Sequence, residues 1–256
     1  MKLFYRALGS GNPMIILHGL FGSSDNWVSF GRSISEQFNV YIPDLRNHGQ
    51  SPHSPVFDLQ SMEDDLLELI KDCNIREPVI IGHSLGGKIA MSFSLHYPQL
   101  VKKLIIVDIS LGNYMNYHEH QAILNAMMAV DFQTARSRSE IDRQLIPVVP
   151  DIKIRQFILK NVTWRDRETL AWRPNLNAIS INLPTISREI QSGGLYHGPC
   201  LLMRGALSDY VSDEDIKLIK TKFPGVSVKT IANATHWVHV DNPGEFYSVV
   251  IEFLRS

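Results

Sequence analysis

A serine lies between two glycines at the end of a short apolar run. Residues Gly82-His83-Ser84-Leu85-Gly86 follow Pro78-Val79-Ile80-Ile81 and precede a stretch with helical spacing. A strand, a sharp turn and a helix in this order hold a turn serine out as a nucleophile. A serine that only capped the helix would not need glycine on both sides. We therefore predict that Ser84 is a nucleophile. Because a serine hydroxyl is inert at neutral pH, it then requires a base, an orienting acid and donors for an oxyanion.

One histidine and two aspartates have the chemistry to complete such a site. His236 lies near the C-terminus and is the predicted base. Asp108 follows the apolar run Leu104–Val107, and Asp209 follows the apolar run Cys200–Met203. Each aspartate lies between the serine and the histidine in the chain, so the order of residues does not choose between them.

A loop near the N-terminus supplies candidate donors for the oxyanion. His18-Gly19-Leu20-Phe21-Gly22 follow the apolar run Met14–Leu17, and the two glycines allow the loop backbone to approach a ligand. We expect the backbone N–H of Leu85, directly after the serine, and the backbone N–H of Leu20 to meet the oxyanion. The N–H of Phe21 is the adjacent alternative.

The elements that must position these residues follow a regular order. Short β-rich runs alternate with longer helical stretches, which predicts an α/β fold with a mostly parallel central sheet and helices on both faces. An edge strand is expected at Lys2–Leu8. Ser61-Met62-Glu63-Asp64 resembles a capping box that opens a helix, and another helix is predicted from Leu85 to Tyr97. The predicted central strands are Met14–Leu17, Val40–Ile42, Val79–Ile81, Leu104–Val107, Cys200–Met203 and Val226–Ile231.

The alternation breaks from about Gly112 to Leu195, where no run has the pattern of a buried strand. We interpret residues 112–195 as an inserted helical cap and residues 1–111 and 196–256 as the core. The cap is expected to cover the carboxyl ends of the strands, the usual ligand side of such sheets. Its predicted helices are Tyr117–Val130, Arg138–Ile146 and Ile152–Val162. The residues predicted to line a substrate pocket are Phe21, Met127, Met128, Trp164, Trp172 and Trp237.

Composition and charge argue against several classes of protein. With 256 residues, 44% of them hydrophobic, and a formal charge of -1, the chain can bury a large core and has no bias towards nucleic acid. The apolar run near the N-terminus is too short for a signal peptide or a membrane span, so we expect a cytoplasmic protein. Cys73 and Cys200 lack metal spacing, and His236 with His239 lacks a third ligand, so neither a metal nor a cofactor is expected. Nothing in the sequence indicates an oligomeric state.

Several longer motifs occur together and cover nearly the whole chain. They resemble the YbfF-type bacterial esterases of the α/β-hydrolase superfamily, to which the mammalian mitochondrial abhydrolase-domain esterases are similar. The resemblance implies an α/β-hydrolase fold and a serine carboxylesterase that acts on acyl esters or acyl-CoA thioesters through a Ser-His-Asp triad. The motifs are His18–Trp27, Asp44–Pro52, Gly82–Lys88, Val107–Ile109, Trp172–Leu176 and His236–His239.

The resemblance also bears on the choice between the two aspartates. In the esterases that this chain resembles, the aspartate at the position of Asp108 looks like the acid, and the later position is often not acidic. An acid that orients His236 must also be held by a rigid element. We therefore favour Asp108 over Asp209. The alternative functions are carbon–carbon bond or lactone hydrolysis on the same triad, and a non-catalytic ligand-binding module.

Overall fold

The computed structural model describes residues 1–113 and 117–256. Its strands are β1 (Tyr5–Leu8), β2 (Asn12–Leu17), β3 (Phe38–Pro43), β4 (Val79–His83), β5 (Lys103–Val107), β6 (Val162–Trp164), β7 (Leu170–Trp172), β8 (Cys200–Gly205) and β9 (Val226–Ile231). Its helices are α1 (Val28–Ile34), α2 (Leu59–Asp72), α3 (Leu85–His96), α4 (Tyr117–Met128), α5 (Arg138–Leu145), α6 (Ile152–Leu159), α7 (Leu176–Ile186), α8 (Asp213–Lys222), α9 (Val238–Asp241) and α10 (Pro243–Arg255).

Seven strands form one sheet in the order β1-β3-β2-β4-β5-β8-β9. Only β1 runs antiparallel to its neighbour in this sheet; the other pairs are parallel. The register pairs Leu17 with Gly82 and His83 with Val107. Because parallel strands present their carboxyl ends at one edge, the loops that follow β2, β4, β5 and β8 start side by side there.

Both faces of this sheet are covered, and residue alternation along the strands supplies both cores. In β2, Ile15 and Leu17 pack on the face that α2 and α3 cover, whereas Met14 and Ile16 pack on the face that α1 and α10 cover. Successive side chains of a strand point to opposite faces, so a strand buried on both sides reads as a continuous apolar run. The predicted α/β architecture and its central strands are therefore confirmed.

The start of α2 differs from the prediction. Ser61 is not the cap: the helix begins at Leu59, and Asp58 caps it by accepting a hydrogen bond from the Ser61 backbone N–H at 2.8 Å. Asp58 has extended backbone and is followed three residues later by a serine that closes the box in return. An aspartate in extended backbone is as good an N-cap as serine, so the earlier of two capping residues is used.

The predicted cap contains more than helices. Helices α4, α5 and α6 lie within or close to the predicted ranges, but β6 and β7 form an antiparallel hairpin and α7 follows it. The sequence interpretation predicted neither this short hairpin nor α7. Each hairpin strand has only three residues, which is too short for a period to emerge, and α7 contains Pro184. Residues 114–116 of the predicted cap lie outside the described residues, and the domain boundaries stay predictions.

The part of the chain that the structure describes contains neither a membrane-spanning helix nor a group of metal-ligating side chains. None of its helices combines the length and the apolar composition needed to cross a bilayer. No three of its histidine, cysteine, aspartate and glutamate side chains are grouped as metal ligands would be. Cys73 and Cys200 are free thiols.

Candidate active site

Ser84 occupies the turn between β4 and α3 in a backbone conformation that side chains rarely adopt, with φ at 52° and ψ at -120°. The flanking glycines make this turn possible. A Cβ on Gly82 would lie 2.3 Å from the carbonyl oxygen of Gly86, and one on Gly86 would lie 2.3 Å from that of Leu17. The Ser84 N–H donates to the carbonyl of Val107 at 3.1 Å, which ties the turn to the sheet. The strain at Ser84 is typical of a functional turn.

His236 and Asp108 are hydrogen-bonded to each other. The Nδ1 atom of His236 lies 2.9 Å from Oδ2 of Asp108. The Asp108 carboxylate is fully buried, and it also accepts hydrogen bonds from the backbone N–H of Gly205 at 2.9 Å and from the Ser208 hydroxyl. Three donors thus hold the two oxygens of the carboxylate. Asp209, the other predicted acid, lies at the exposed rim of the same cavity.

Neighbouring aromatic rings fix the His236 imidazole in place. The Tyr210 ring stacks on it, with centroids 3.6 Å apart and planes 17° apart. Behind it, His83 Nε2–H donates to the carbonyl of His236 at 2.9 Å, and burial lowers the pKa of His83 well below its usual value. Across the described residues, no hydrogen-bond partner meets the Ser84 hydroxyl, which lines the same cavity as His236. Contacts between a nucleophile and its base commonly tighten only when substrate is bound.

The loop after β2 lies directly against the serine. A Cβ on Gly19 would lie 3.0 Å from Cβ of Ser84, closer than an ordinary van der Waals contact, so the missing side chain of Gly19 favours this approach. The N–H of Phe21 donates to Nε2 of His48 at 3.1 Å and is therefore occupied. In the described part of the chain, no acceptor is bonded to the N–H of Leu20. The N–H of Leu85, at the first position of α3, likewise lacks an acceptor one helical turn before it.

Two neutral histidines support this loop. His18 accepts a hydrogen bond from the Leu45 N–H at Nε2 and donates from Nδ1 to the Gly19 carbonyl. His48 accepts at Nε2 and donates from Nδ1 to the carbonyl of Arg46. Burial lowers the pKa of His18 to about 4 and that of His48 to about 3. Both rings are therefore neutral at pH 7, and each tautomer is fixed by its partners.

Asp44 and Arg46, in the segment after β3, both have hydrogen-bond partners. The Asp44 carboxylate accepts from the backbone N–H groups of Ser24 at 2.6 Å and Gln50 at 2.7 Å, and Gly49 packs against it so closely that a Cβ would overlap it. Arg46 forms a bidentate pair with Asp65, at 2.6 Å and 2.7 Å, and both groups are buried. These charges stabilise the loop that carries His48, since buried charges require partners.

A cavity of about 420 Å³ opens above Ser84 and His236. Helices α4 and α6 supply its other side, with Ile123, Phe157 and Ile158 as apolar groups that the sequence interpretation missed. Ile154, Phe157 and Ile158 are spaced as one helical face, and that spacing was the signal in the sequence. The charged side chains that line the cavity are Glu119, Asp151, Lys153 and Asp209.

Of the six predicted pocket residues, Phe21 and Trp237 line the cavity and the four in the cap do not. Met127 is fully buried, whereas Met128 is 46% exposed and Trp164 is 58% exposed, away from the cavity. Trp172 donates from Nε1 to the Met127 carbonyl at 2.7 Å and so joins the hairpin to α4. Met127 and Met128 lie on α4, which turns the face with Glu119 and Ile123 towards the cavity instead. Trp164 and Trp172 lie on the hairpin strands β6 and β7, which do not line the cavity.

His239, three residues after His236, lines the same cavity and belongs to an aromatic cluster with Trp27 and Phe246. Its ring stacks on Trp27, with centroids 3.9 Å apart and planes 9° apart, and burial lowers its pKa to about 3. The stacked ring packs against the α1 and α10 side of the sheet, where it contacts Phe246. Aromatic packing on Trp27 and Phe246 therefore holds the His239 ring in place.

A strand–turn–helix elbow that carries a serine, at the carboxyl edge of a mostly parallel sheet, defines the class of the α/β hydrolases. A model of the α/β hydrolase fold family matches residues 12–148. The chain belongs to the α/β hydrolase fold family, in the group of the YbfF-type esterases, and is a hydrolase of the esterase and lipase type.

Individual relatives place it more closely. Esterase YbfF of Escherichia coli is 32% identical over an alignment of 263 positions that covers 100% of this chain and 100% of the relative. The sn-1-specific diacylglycerol lipase ABHD11 of zebrafish (Danio rerio) is 37% identical over an alignment of 253 positions that covers 96% of this chain and 80% of the relative. The solved structure of a marine microorganism esterase superimposes with a TM-score of 0.96 at 42% identity, covering 98% of this chain and 99% of that one.

Proposed function

We propose that the chain is a serine carboxylesterase in which Ser84 is the nucleophile, His236 the general base and Asp108 the orienting acid. The hydrogen bond between His236 Nδ1 and the buried Asp108 carboxylate carries this proposal. It fixes the tautomer in which Nδ1 bears the proton, so Nε2 is free to take one. The N–H groups of Leu20 and Leu85 form the oxyanion hole.

The reaction proceeds in two acyl transfers. Ser84 Oγ attacks the ester carbonyl carbon while His236 Nε2 takes the hydroxyl proton, and the two N–H groups meet the negative charge on the former carbonyl oxygen. His236 gives its proton to the leaving alkoxide, which departs as the alcohol. Water then attacks the acyl-serine with His236 again as base, and the carboxylic acid leaves.

The charges around the cavity favour a neutral ester over an acyl-CoA thioester. Three carboxylates, those of Glu119, Asp151 and Asp209, face one ammonium, and Lys153 is itself 3.1 Å from a carboxylate oxygen of Asp241. A phosphate-bearing leaving group therefore meets a net negative rim. Two relatives of this chain are named an esterase and a diacylglycerol lipase, and both names refer to esters.

The test of the nucleophile is covalent labelling with a fluorophosphonate probe. The wild-type protein should label at Ser84, and Ser84→Ala should not label. Ser94→Ala is the matched control, because the Ser94 hydroxyl lies in the same helix and is bonded to the Ala90 carbonyl. Labelling of Ser84→Ala at an unchanged rate would overturn the proposed mechanism.

The test of the substrate class uses p-nitrophenyl esters of graded acyl length beside acyl-CoA thioesters. We expect kcat/KM to be higher for the neutral esters. Added salt should raise kcat/KM for the thioester, because screening weakens the repulsion, and leave the neutral ester unchanged. A thioester rate that falls with salt would mean that the rim attracts the phosphates.

A further inference from the structure

Side chains from different parts of the molecule hold both the backbone N–H and the backbone carbonyl of Phe21. His48 Nε2 accepts the Phe21 N–H at 3.1 Å, and Asn161 Nδ2 donates to the Phe21 carbonyl at 2.7 Å. All three residues are buried. Phe21 has φ at 59°, a left-handed conformation that a bulky side chain adopts only where its surroundings enforce it.

The cap holds Asn161 rigidly. It lies between α6 and β6, its N–H donates to the Ile158 carbonyl at 2.9 Å, and its own carbonyl accepts from the Arg173 N–H at 2.9 Å. Its backbone is therefore hydrogen-bonded to α6 and to Arg173, the residue directly after β7. Its amide then reaches out of the cap to the loop beside Ser84.

The core side of the arrangement is equally constrained. His48 must be neutral with the proton on Nδ1 to accept the Phe21 N–H, and the Arg46 carbonyl selects that tautomer. The preceding residue, Asn47, accepts the Asn175 N–H of the cap with its carbonyl at 2.9 Å. The loop of His48 and the cap are thus joined at a second point.

We propose that His48 and Asn161 are positioning residues that clamp the backbone of Phe21, a proposal that rests on the oxyanion hole of the proposed function. The clamp directs the neighbouring Leu20 N–H to the oxyanion and makes the cap a structural part of the oxyanion hole. Occupation of the Phe21 N–H by His48 leaves Leu20 as the donor in this loop. A donor stabilises charge in the transition state only if it is already oriented, and a displacement of about 1 Å costs on the order of 100-fold in rate.

The clamp is tested by Asn161→Leu beside a matched control. Asn182→Leu removes the same kind of contact, a hydrogen bond from an asparagine Nδ2 in the cap to a core carbonyl, here that of Pro55 at 3.1 Å. We expect Asn161→Leu to lower kcat for a p-nitrophenyl ester by about 10- to 100-fold with KM within about twofold of wild type. Asn182→Leu should stay within about twofold of wild type in both constants.

A second measurement distinguishes a loss of oxyanion stabilisation from general damage to the site. A trifluoromethyl ketone forms a tetrahedral oxyanion on the serine, whereas the corresponding methyl ketone binds without one. Asn161→Leu should weaken inhibition by the first compound by the same factor as kcat and leave the second unchanged. Equal effects of the two asparagine substitutions, or a rise in KM in place of the fall in kcat, would overturn the clamp.

Substitutions of His48 test the other half of the clamp and include a control for misfolding. His48→Gln keeps an acceptor at the reach of Nε2, whereas His48→Phe keeps a ring and no acceptor. We expect the glutamine variant to retain several-fold more kcat than the phenylalanine variant, with thermal unfolding measured for both. Equal kcat in two folded variants would contradict the proposal. If Ser84→Ala is inactive and unlabelled while the clamp variants are unaffected, the clamp alone fails and the proposed esterase stands.

Discussion

The core wall of the cavity consists of loop backbone and buried polar groups, whereas the cap wall consists of side chains projecting from α4 and α6. On the core wall, Asp108 is completely buried and accepts three hydrogen bonds. On the cap wall, Ile152 is 62% exposed, and the side chains of Ile123 and Phe157 meet the cavity through apolar surface. Directional hydrogen bonds fix the groups of the core wall, whereas apolar packing shapes the cap wall.

This difference separates two properties of the enzyme. Groups that do chemistry must keep their geometry within fractions of an ångström, which requires several independent hydrogen bonds to each group. Groups that only define the shape of a pocket tolerate changes of volume, because apolar contacts have no preferred direction. Substitutions in the core wall should therefore change the reaction rate, and substitutions in the cap wall should change the substrate preference.

The largest expected effect is on the core wall at Ser84. Ser84→Ala should lower kcat by about 10⁶-fold, because the nucleophile cannot be replaced by water with the same geometry. Circular dichroism and thermal unfolding should show an intact fold. Retention of more than a few per cent of activity would falsify the serine mechanism.

The next largest effect distinguishes the two aspartates. Asp108→Asn should lower kcat by about 10⁴-fold, because an amide in place of the carboxylate favours the wrong imidazole tautomer. Asp209→Asn, at the exposed rim, should change kcat by less than about threefold. A crippling Asp209→Asn with an active Asp108→Asn would reverse the assignment.

On the cap wall, Phe157→Ala should change selectivity more than rate. Removing one apolar contact should shift the ratio of kcat/KM between long and short p-nitrophenyl esters by about tenfold. Trp164→Ala is the matched control, an aromatic residue of the cap that lies outside the cavity. If both substitutions shift the ratio equally, the cap wall is not where acyl chains bind.

The smallest expected effect is on the stability of the fold in acid, to which the buried histidines of the core wall contribute. Burial lowers the pKa of His239 to about 3, against an unfolded value near 6.5. Between these values the unfolded state binds the extra proton, so this contribution to stability is present above pH 6.5 and is lost as the pH falls towards 3. His239→Phe keeps a ring on Trp27 and should reduce the slope of unfolding free energy against pH by about 1.4 kcal/mol per pH unit near pH 5.

Urea unfolding at a series of pH values measures this slope. Between pH 7 and 8 the difference between His239→Phe and wild type should be constant, because neither state takes up a proton on this ring there. An unchanged slope near pH 5 would mean that the stacked ring is already charged in the folded protein.

Much of the core could be predicted because its signals are local. The apolar runs of β2, β4, β5 and β8 are buried on both faces, and glycines on both sides of Ser84 mark a turn that few other sequences can form. The cap could not be predicted to the same degree. Its hairpin strands have three residues each, and Met127 and Trp172, chosen by residue type, pack inside the cap instead of facing the cavity.

The sequence by itself determined the strand order along the chain, the elbow at Ser84 and the candidate partners of that serine, because backbone strain and residue period act over neighbouring positions. Tertiary structure decided that Asp108 is the aspartate bonded to His236, that the Phe21 N–H is occupied by His48, and which faces of α4 and α6 meet the cavity. Each of these depends on groups far apart in the chain, brought within hydrogen-bond distance by the parallel sheet and the packing of the cap. Such contacts leave no periodic trace in the sequence because their partners share no local segment.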